Sequence, residues 1–66
     1  MKIADFTVPE LDYFRENCNF VGDELIVFEL RSSGIQLDEI ADFLSVSTDT
    51  VKKISRKINS KIIKVL

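Results

Sequence analysis

The last third of the chain carries an apolar stripe with the repeat of an α-helix. At about 100° per residue, the apolar residues from position 51 onward share one narrow face. They are Val51, Ile54, Ile58, Ile62 and Val65. The opposite face is polar and centres on Asp49, Lys53, Arg56 and Ser60. This pattern predicts a long amphipathic helix from about Thr48 towards the end of the chain, with one face on a core and the other open to an anionic partner.

Charge is unevenly divided between this segment and the rest of the chain. Residues 50–66 carry six Lys and Arg and no acid, whereas residues 1–49 carry three Lys and Arg against eleven acids. The formal net charge of −2 therefore hides a basic end on an acidic body. Such asymmetry indicates a polyanion or an acidic partner at the basic end, or simply a solvated helix face.

Length and composition limit the broad class of protein. A chain of 66 residues can form one small domain, which buries a modest share of its surface. A hydrophobic fraction of 45% is too high for a disordered tail, and no apolar run approaches the roughly 18 residues of a membrane span. The first residues lack a basic region followed by an apolar core, so we expect no signal peptide and a cytoplasmic location.

Residue types that catalysis and metal binding need are scarce. The chain has no His and a single cysteine, Cys18, which we expect to be a small core residue rather than an exposed thiol. The two glycines are isolated, so no phosphate-binding loop is present. The acid pairs Asp23/Glu24 and Asp38/Glu39 fall where helices should begin, where negative charge is favourable. We therefore expect no enzyme activity, no metal and no cofactor.

The rest of the chain also has helical patterns. Predicted helices cover about residues 9–17, 23–33, 37–44 and 48 onwards. Residues 3–8 are expected to form an arm or a brief extended segment. Pro9 suits a first helical turn, Gly34 suits a helix C-terminus, and Ser47 can cap the last helix. The fold class is therefore all-α, a small helical bundle.

Residues 36–55 fit the size pattern of a DNA-binding helix-turn-helix. That motif needs a small residue where its two helices cross, and Ala41 occupies this place. The flanking core positions are all apolar: Ile40, Leu44, Val46, Val51 and Ile54. The second helix needs an N-cap and a polar first turn, which residues 47–50 supply. The turn residue Ser45 stands where the motif often has glycine. A generic helical hairpin is the alternative.

From about Phe20 to Lys52 the chain resembles the helix-turn-helix domain of LuxR-type regulators. The matching residues are Glu24, Leu25, Val27, Phe28, Leu30, Gly34, Glu39, Ile40, Ala41, Leu44, Ser47, Thr50, Val51 and Lys52. It is equally similar to the promoter-reading C-terminal region of sigma factors, in which the recognition helix runs on as it does here; Ile54, Lys61 and Ile62 fit that version. The resemblance implies a three-helix DNA-binding core over residues 21–66, an extended recognition helix and a role in transcription. Residues 1–20 would add an arm and a short helix on the core or on a partner.

The motif places the first turns of the recognition helix, residues 48–60, in the major groove of double-stranded DNA. The predicted DNA-binding residues are Thr48, Asp49, Thr50, Lys52, Lys53, Arg56, Lys57 and Gln36. Lys and Arg can donate to guanine, and Asp49 can accept from cytosine or simply favour the helix start. Gln36 and Thr50, and more weakly Ser45, are candidates for phosphate hydrogen bonds. Lys57, Lys61 and Lys64 should meet phosphates or solvent.

Several apolar residues exceed what a three-helix core needs, among them Ile26, Leu37, Phe43 and those of the N-terminal segment. In one account the N-terminal helix covers Ile26, Phe43 or the end of the last helix. In the other, a homodimer buries Ile62, Ile63, Val65 and Leu66 between chains. Dimeric helix-turn-helix proteins read paired half-sites, so a dimer would also suit DNA binding.

Three functions remain open from the sequence. The first is a small DNA-binding transcriptional regulator. The second is a protein-interaction module that docks on RNA polymerase, a phage protein or another regulator, with Asp38, Glu39 and Asp42 as contacts. The third is a structural or assembly subunit in which the helix-turn-helix only helps the chain to oligomerise.

Overall fold

The chain folds into a small bundle of four α-helices, which confirms the predicted all-α class. The computed structural model describes residues 3–66. The helices are α1 (Val8–Asn17), α2 (Asp23–Ser32), α3 (Leu37–Leu44) and α4 (Thr48–Val65), preceded by a short 3-10 helix (Ile3–Asp5). No β-strand occurs within these residues. None of the helices between residues 3 and 66 combines the length and apolar content that crossing a membrane requires.

The first described residues form a 3-10 turn that leads into α1, so the prediction of an arm or a brief extended segment over residues 3–8 was wrong. Ile3 and Phe6 are three residues apart, which puts both side chains on the same side of a 3-10 turn, and the Phe6 amide donates to the Ile3 carbonyl at 3.2 Å. Ile3 is buried, and the Phe6 ring meets the Phe14 ring edge-on with centroids 4.9 Å apart. Burial of these two apolar side chains stabilises the turn over an extended strand.

Helix α1 begins with a complete capping box. The Thr7 hydroxyl accepts from the Glu10 amide, and the Glu10 carboxylate accepts from the Thr7 amide at 2.8 Å. Pro9 lies in the first turn, where its missing N–H costs nothing. The start of α1 is therefore fixed by local sequence, and its buried residues Leu11 and Phe14 are turned towards the body.

Helices α2 and α3 end in the same way, with one residue in the left-handed region. Gly34 follows α2 with φ of 84°, and Ser45 follows α3 with φ of 58°. In each case the next amide donates back five residues, from Ile35 to Leu30 and from Val46 to Ala41, both at 3.0 Å. These are the bonds of the Schellman motif, and they reverse the chain abruptly.

Helix α4 is the element on which the other helices pack. It contacts α2, α3 and α1, and its residues Val51, Ile58 and Ile62 are completely buried. Ile54 and Val65, the other members of the predicted stripe, are half-buried against the same core. The fully buried side chains from the other elements are Ile3, Phe14, Val27, Phe28 and Ile40, each at most 2% exposed. The stripe in the sequence is therefore the inner face of α4.

The residues predicted to form a shared core between α3 and α4 lie in this cluster. Ile40 and Ala41 are buried, and Leu44 and Val46 are partly buried against them. Cys18 is also buried, as expected, and loss of hydration raises the pKa of its thiol.

The N-terminal helix packs on the end of α4, one of the three places considered for it. The Tyr13 hydroxyl donates to the Val65 carbonyl at 3.2 Å. Ile26 and Phe43, the two other places, stay 39% and 70% exposed. Ile62 was predicted to lie in a partner interface, and this prediction was wrong. Its side chain is wholly enclosed by the chain's own core, so it has no surface to offer.

Substitutions at Ser45 and Gly34 test how much a side chain costs at a position with positive φ. Ser45→Gly should raise the free energy of unfolding by about 0.5–1 kcal/mol, because glycine adopts positive φ without the steric cost that serine pays. Gly34→Ser should lower it by about 1 kcal/mol for the same reason. A Cβ at Gly34 would meet no atom within 4 Å, so crowding does not complicate the comparison. Urea denaturation measures the free energy of unfolding of each variant. A Gly34→Ser variant more stable than the unaltered chain would contradict the steric explanation.

Candidate functional site

The first turn of α4 is capped and exposed. The Ser47 hydroxyl accepts from the Thr50 amide at 3.2 Å and lies 2.9 Å from the Thr50 hydroxyl. Asp49 and Thr50 are exposed, whereas Thr48 is half-buried. The Ser47 cap stabilises the start of α4 at this point, because it satisfies a backbone amide that would otherwise lack a partner.

A cationic face follows directly from this first turn. Lys52, Lys53, Arg56 and Lys57 are all exposed, and Lys64 continues the row towards the end of the helix. At 100° per residue these five cations fall within an arc of about 140° around α4. Among residues 3–66, none of the five lies within salt-bridge distance of a carboxylate. We name Lys52, Lys53, Arg56 and Lys57 the basic face.

Of the two arginines outside α4, one is held by acids. The Arg15 guanidinium binds Glu29 at 2.6 Å and Asp12 at 2.7 Å, and the hydrogen bond to Glu29 is the main reason that the pKa of Arg15 is raised. Arg31 donates instead to the Ile35 carbonyl at 3.1 Å and forms no ion pair within residues 3–66. The acids of the body therefore neutralise Arg15, whereas no cation of the basic face lies in an ion pair within the same residues.

Lys61 differs from its neighbours on α4 because it joins two elements. Its ammonium group donates to the Glu24 carboxylate and to the Asn19 carbonyl, which ties α4 to the loop before α2 and to the first turn of α2. The hydrogen bond from Lys61 lowers the pKa of Glu24. The expectation that Lys61 meets phosphate or only solvent was wrong, since Glu24 lies within its reach.

The remaining predicted DNA contact lies on another element. Gln36 is the N-cap residue of α3 and is exposed, and its side chain does not bond to the helix that it precedes. The side-chain amide of Gln36 can therefore form hydrogen bonds with another group. The exposed side chain of Ser45 can do the same. Six of the eight predicted residues are both exposed and carried by α4; Gln36 and the half-buried Thr48 are the exceptions.

A second exposed face lies on α3. Asp38, Glu39 and Asp42 are exposed, and none of them forms an ion pair within residues 3–66. Phe43 lies one turn after Glu39 and is 70% exposed. We name these four residues the acidic face. The three acids were predicted as partner contacts without Phe43, although residues four apart, such as Glu39 and Phe43, lie next to each other on a helix surface.

Comparison with known proteins returned no protein-family model, no curated protein and no solved structure that matches this chain.

The Glu24–Lys61 pair predicts a specific pH dependence of stability. Because the pKa of Glu24 is lowered in the folded chain, its stabilising effect is present above the unfolded pKa of about 4.3 and is lost as pH falls through the folded value. Glu24→Gln should therefore lower the free energy of unfolding by about 1 kcal/mol near neutral pH. Once the pH lies below the folded pKa of Glu24, the variant and the unaltered chain should be equally stable.

The control is Glu16→Gln, which removes the same charge from an exposed residue that has no ion pair within residues 3–66. It should leave stability nearly unchanged across the same pH range. Denaturant unfolding at several pH values measures the free energy of unfolding of both variants. If Glu24→Gln remained less stable than the unaltered chain in acid, the loss could not be due to the charge of Glu24.

Proposed function

We propose that this protein is a small sequence-specific DNA-binding transcriptional regulator whose helix α4 reads the major groove through residues 48–60. The observation that carries the proposal is the basic face, four exposed cations in the first half of a capped helix, none of which forms an ion pair within residues 3–66. A duplex presents a dense row of phosphates, and cations that displace its counterions bind it strongly. The role is one of binding and not of catalysis.

Helix α4 can enter the major groove with its N-terminal turns towards the bases. The major groove of B-DNA admits an α-helix, and helix-turn-helix proteins present the N-terminal turns of that helix to the bases. Here those turns carry Asp49, Lys52 and Lys53, all exposed. Lys52 and Lys53 can donate to guanine, and Asp49 can accept from a cytosine amino group. Arg56 and Lys57, one turn further on, can reach the edge of the groove or its phosphates.

Charge outside α4 restricts the orientation of the complex. The acidic face on α3 carries three carboxylates without ion pairs, and phosphates would repel them. A duplex therefore favours approach through the basic face and disfavours contact with the acidic face.

The resemblance to LuxR-type regulators and to the promoter-reading region of sigma factors also supports the proposal. It rests on positions such as Ala41, Leu44 and Val51, which lie in or against the core at the junction of α3 and α4. The transcriptional part of the proposal comes from this resemblance alone, whereas DNA binding also follows from the charge and exposure of α4.

Removal of the basic face should weaken DNA binding in a salt-dependent way. The unaltered chain should bind random-sequence duplex DNA with a dissociation constant of roughly 1–100 μM near physiological salt. Lys53→Ala combined with Arg56→Ala should weaken binding at least tenfold in low salt, and should reduce the slope of log affinity against log salt by about two. Fluorescence anisotropy across a salt series measures both quantities.

Two variants make the matched control. Lys64→Ala removes a cation from the far end of the same helix, and should change the affinity less than either Lys53→Ala or Arg56→Ala alone. Asp42→Asn removes a charge from the acidic face and should not weaken binding. Absence of binding in low salt, or binding that does not respond to salt, would contradict the proposal.

The acidic face favours a second candidate function, docking on RNA polymerase or another regulator. Phe43 offers a large apolar contact at the edge of a row of three acids, which suits a basic partner surface with an apolar pocket. A substitution at Phe43 distinguishes the two functions. Phe43→Ser should leave DNA affinity unchanged under the first function, and should abolish partner binding under the second.

A further inference from the structure

A hollow of about 320 Å³ opens beside the second half of α4, beyond the turns that carry the proposed base contacts. Small-molecule sites in proteins begin at roughly 300 Å³, so this hollow suits a small ligand or one group of a larger ligand. We name it the cationic hollow. Its lining residues are Glu24, Arg56, Lys57, Ser60, Lys61 and Lys64.

Two of the lining residues neutralise each other. The Lys61 ammonium group donates to the Glu24 carboxylate and to the Asn19 carbonyl, so both charged side chains are held against the start of α2. The Glu24 side chain is only 13% exposed. The charge of Lys57 acts on this carboxylate too, since it helps to lower the pKa of Glu24. The pair forms the α2 side of the hollow and adds no net charge to it.

Three cations of the hollow remain without such a partner. Arg56, Lys57 and Lys64 are exposed, and none of them forms an ion pair within residues 3–66. Like charges around one concavity repel one another unless an anion lies among them. A cleft lined by one sign of charge also raises the local concentration of counter-ions. The cationic hollow is therefore suited to an anion.

Ser60 occupies the centre of these three cations. It is three residues from Lys57 and four from both Arg56 and Lys64, and residues at these spacings are neighbours on a helix surface. A short side chain among three long ones leaves a concave surface between them. The Ser60 hydroxyl can donate a hydrogen bond to an oxygen atom placed there.

Charge and lining together select the chemical class of the anion. Arginine binds phosphate oxygens in pairs, and lysine binds them as a point charge. A terminal phosphate carries about −2 near neutral pH, and a second linked phosphate brings the total to about −3, which matches the three cations. No aromatic side chain between residues 3 and 66 lines the hollow, so it offers a base no surface for stacking. Recognition would depend on the phosphates alone.

We infer that the cationic hollow binds a diphosphate group, either free or at the end of a larger phosphorylated compound. Arg56, Lys57 and Lys64 bind its oxygens, and Ser60 donates a hydrogen bond to it. Two of these cations, Arg56 and Lys57, also belong to the basic face. The ligand would therefore compete with duplex DNA for them, and this competition rests on the proposed function, whereas the site itself does not.

Titration of the isotope-labelled chain with inorganic pyrophosphate, at constant ionic strength and without DNA, tests the site by NMR. The unaltered chain should bind saturably, with the largest amide shift changes in residues 56–64 and small ones in residues 48–53. Lys57→Ala combined with Lys64→Ala should raise the dissociation constant at least about tenfold, because two of the three charges are removed.

The matched control is Lys52→Ala combined with Lys53→Ala. It removes the same charge from exposed residues of the same helix that do not line the hollow, and should raise the dissociation constant by less than about threefold. Ser60→Glu is a second probe, since an acid at the centre of the hollow should abolish binding. Thermal melts of each variant show whether the fold is retained.

Three results would overturn the inference. One is the absence of saturable binding of pyrophosphate. Another is an equal loss of affinity in the two double variants, which would show diffuse attraction to the whole of α4. The third is a set of shift changes centred on residues 48–53.

Duplex DNA distinguishes the two sources of phosphate. A chain that binds duplex DNA through the basic face but no pyrophosphate would overturn the diphosphate site alone. A chain that binds pyrophosphate but no DNA in low salt would overturn the proposed function and leave the site in place. If both bind, saturating pyrophosphate should weaken the DNA complex more than sodium chloride of equal ionic strength does. A DNA complex that responds equally to both salts would overturn the competition.

Discussion

Burial of the inner face of α4 is the interaction on which the rest of the molecule depends. Val51, Ile58 and Ile62 lie against α1, α2 and α3 together, so the core contains side chains from every helix. A helix held along one side by three others must present its opposite side to water. The exposure of the basic face is therefore a consequence of packing, and it persists for as long as the core is formed.

Electrostatics within the bundle reinforces this division. Arg15 and Lys61 each bind carboxylates of another element, and the paired acids lie on α1 and α2. The acids of α3 have no such partner within residues 3–66, nor have the cations at the start of α4. Cations without ion pairs therefore lie along α4, whereas carboxylates without ion pairs lie on α1, α2 and α3. Folding does not remove the charge asymmetry that the sequence contains.

Periodicity and end signals predicted the helices well, because these features act over a few residues. The bounds of α1, α3 and the start of α4 agree with Pro9, the acids at Asp38 and Glu39, and the cap at Ser47. Long-range contacts were not predictable in this way. The bond from Lys61 to Glu24 joins residues 37 apart, and the bond from Tyr13 to Val65 joins residues 52 apart. Ile62 was misjudged for the same reason, since an apolar residue in a stripe can face a core or a partner, and the packing of the other elements decides between them.

The reactivity of the buried Cys18 thiol can report local unfolding of the segment between α1 and α2. It is the only sulfhydryl in the chain, and burial both shields it and raises its pKa, which keeps the reactive thiolate scarce. Cys18 borders an open hollow of about 260 Å³ and is 6% exposed, so a reagent in solution reaches its sulfur atom far more readily when the segment between α1 and α2 separates from the core. The rate of its modification therefore rises with the frequency of those openings, and it can be followed without any label on the helix that carries the basic face.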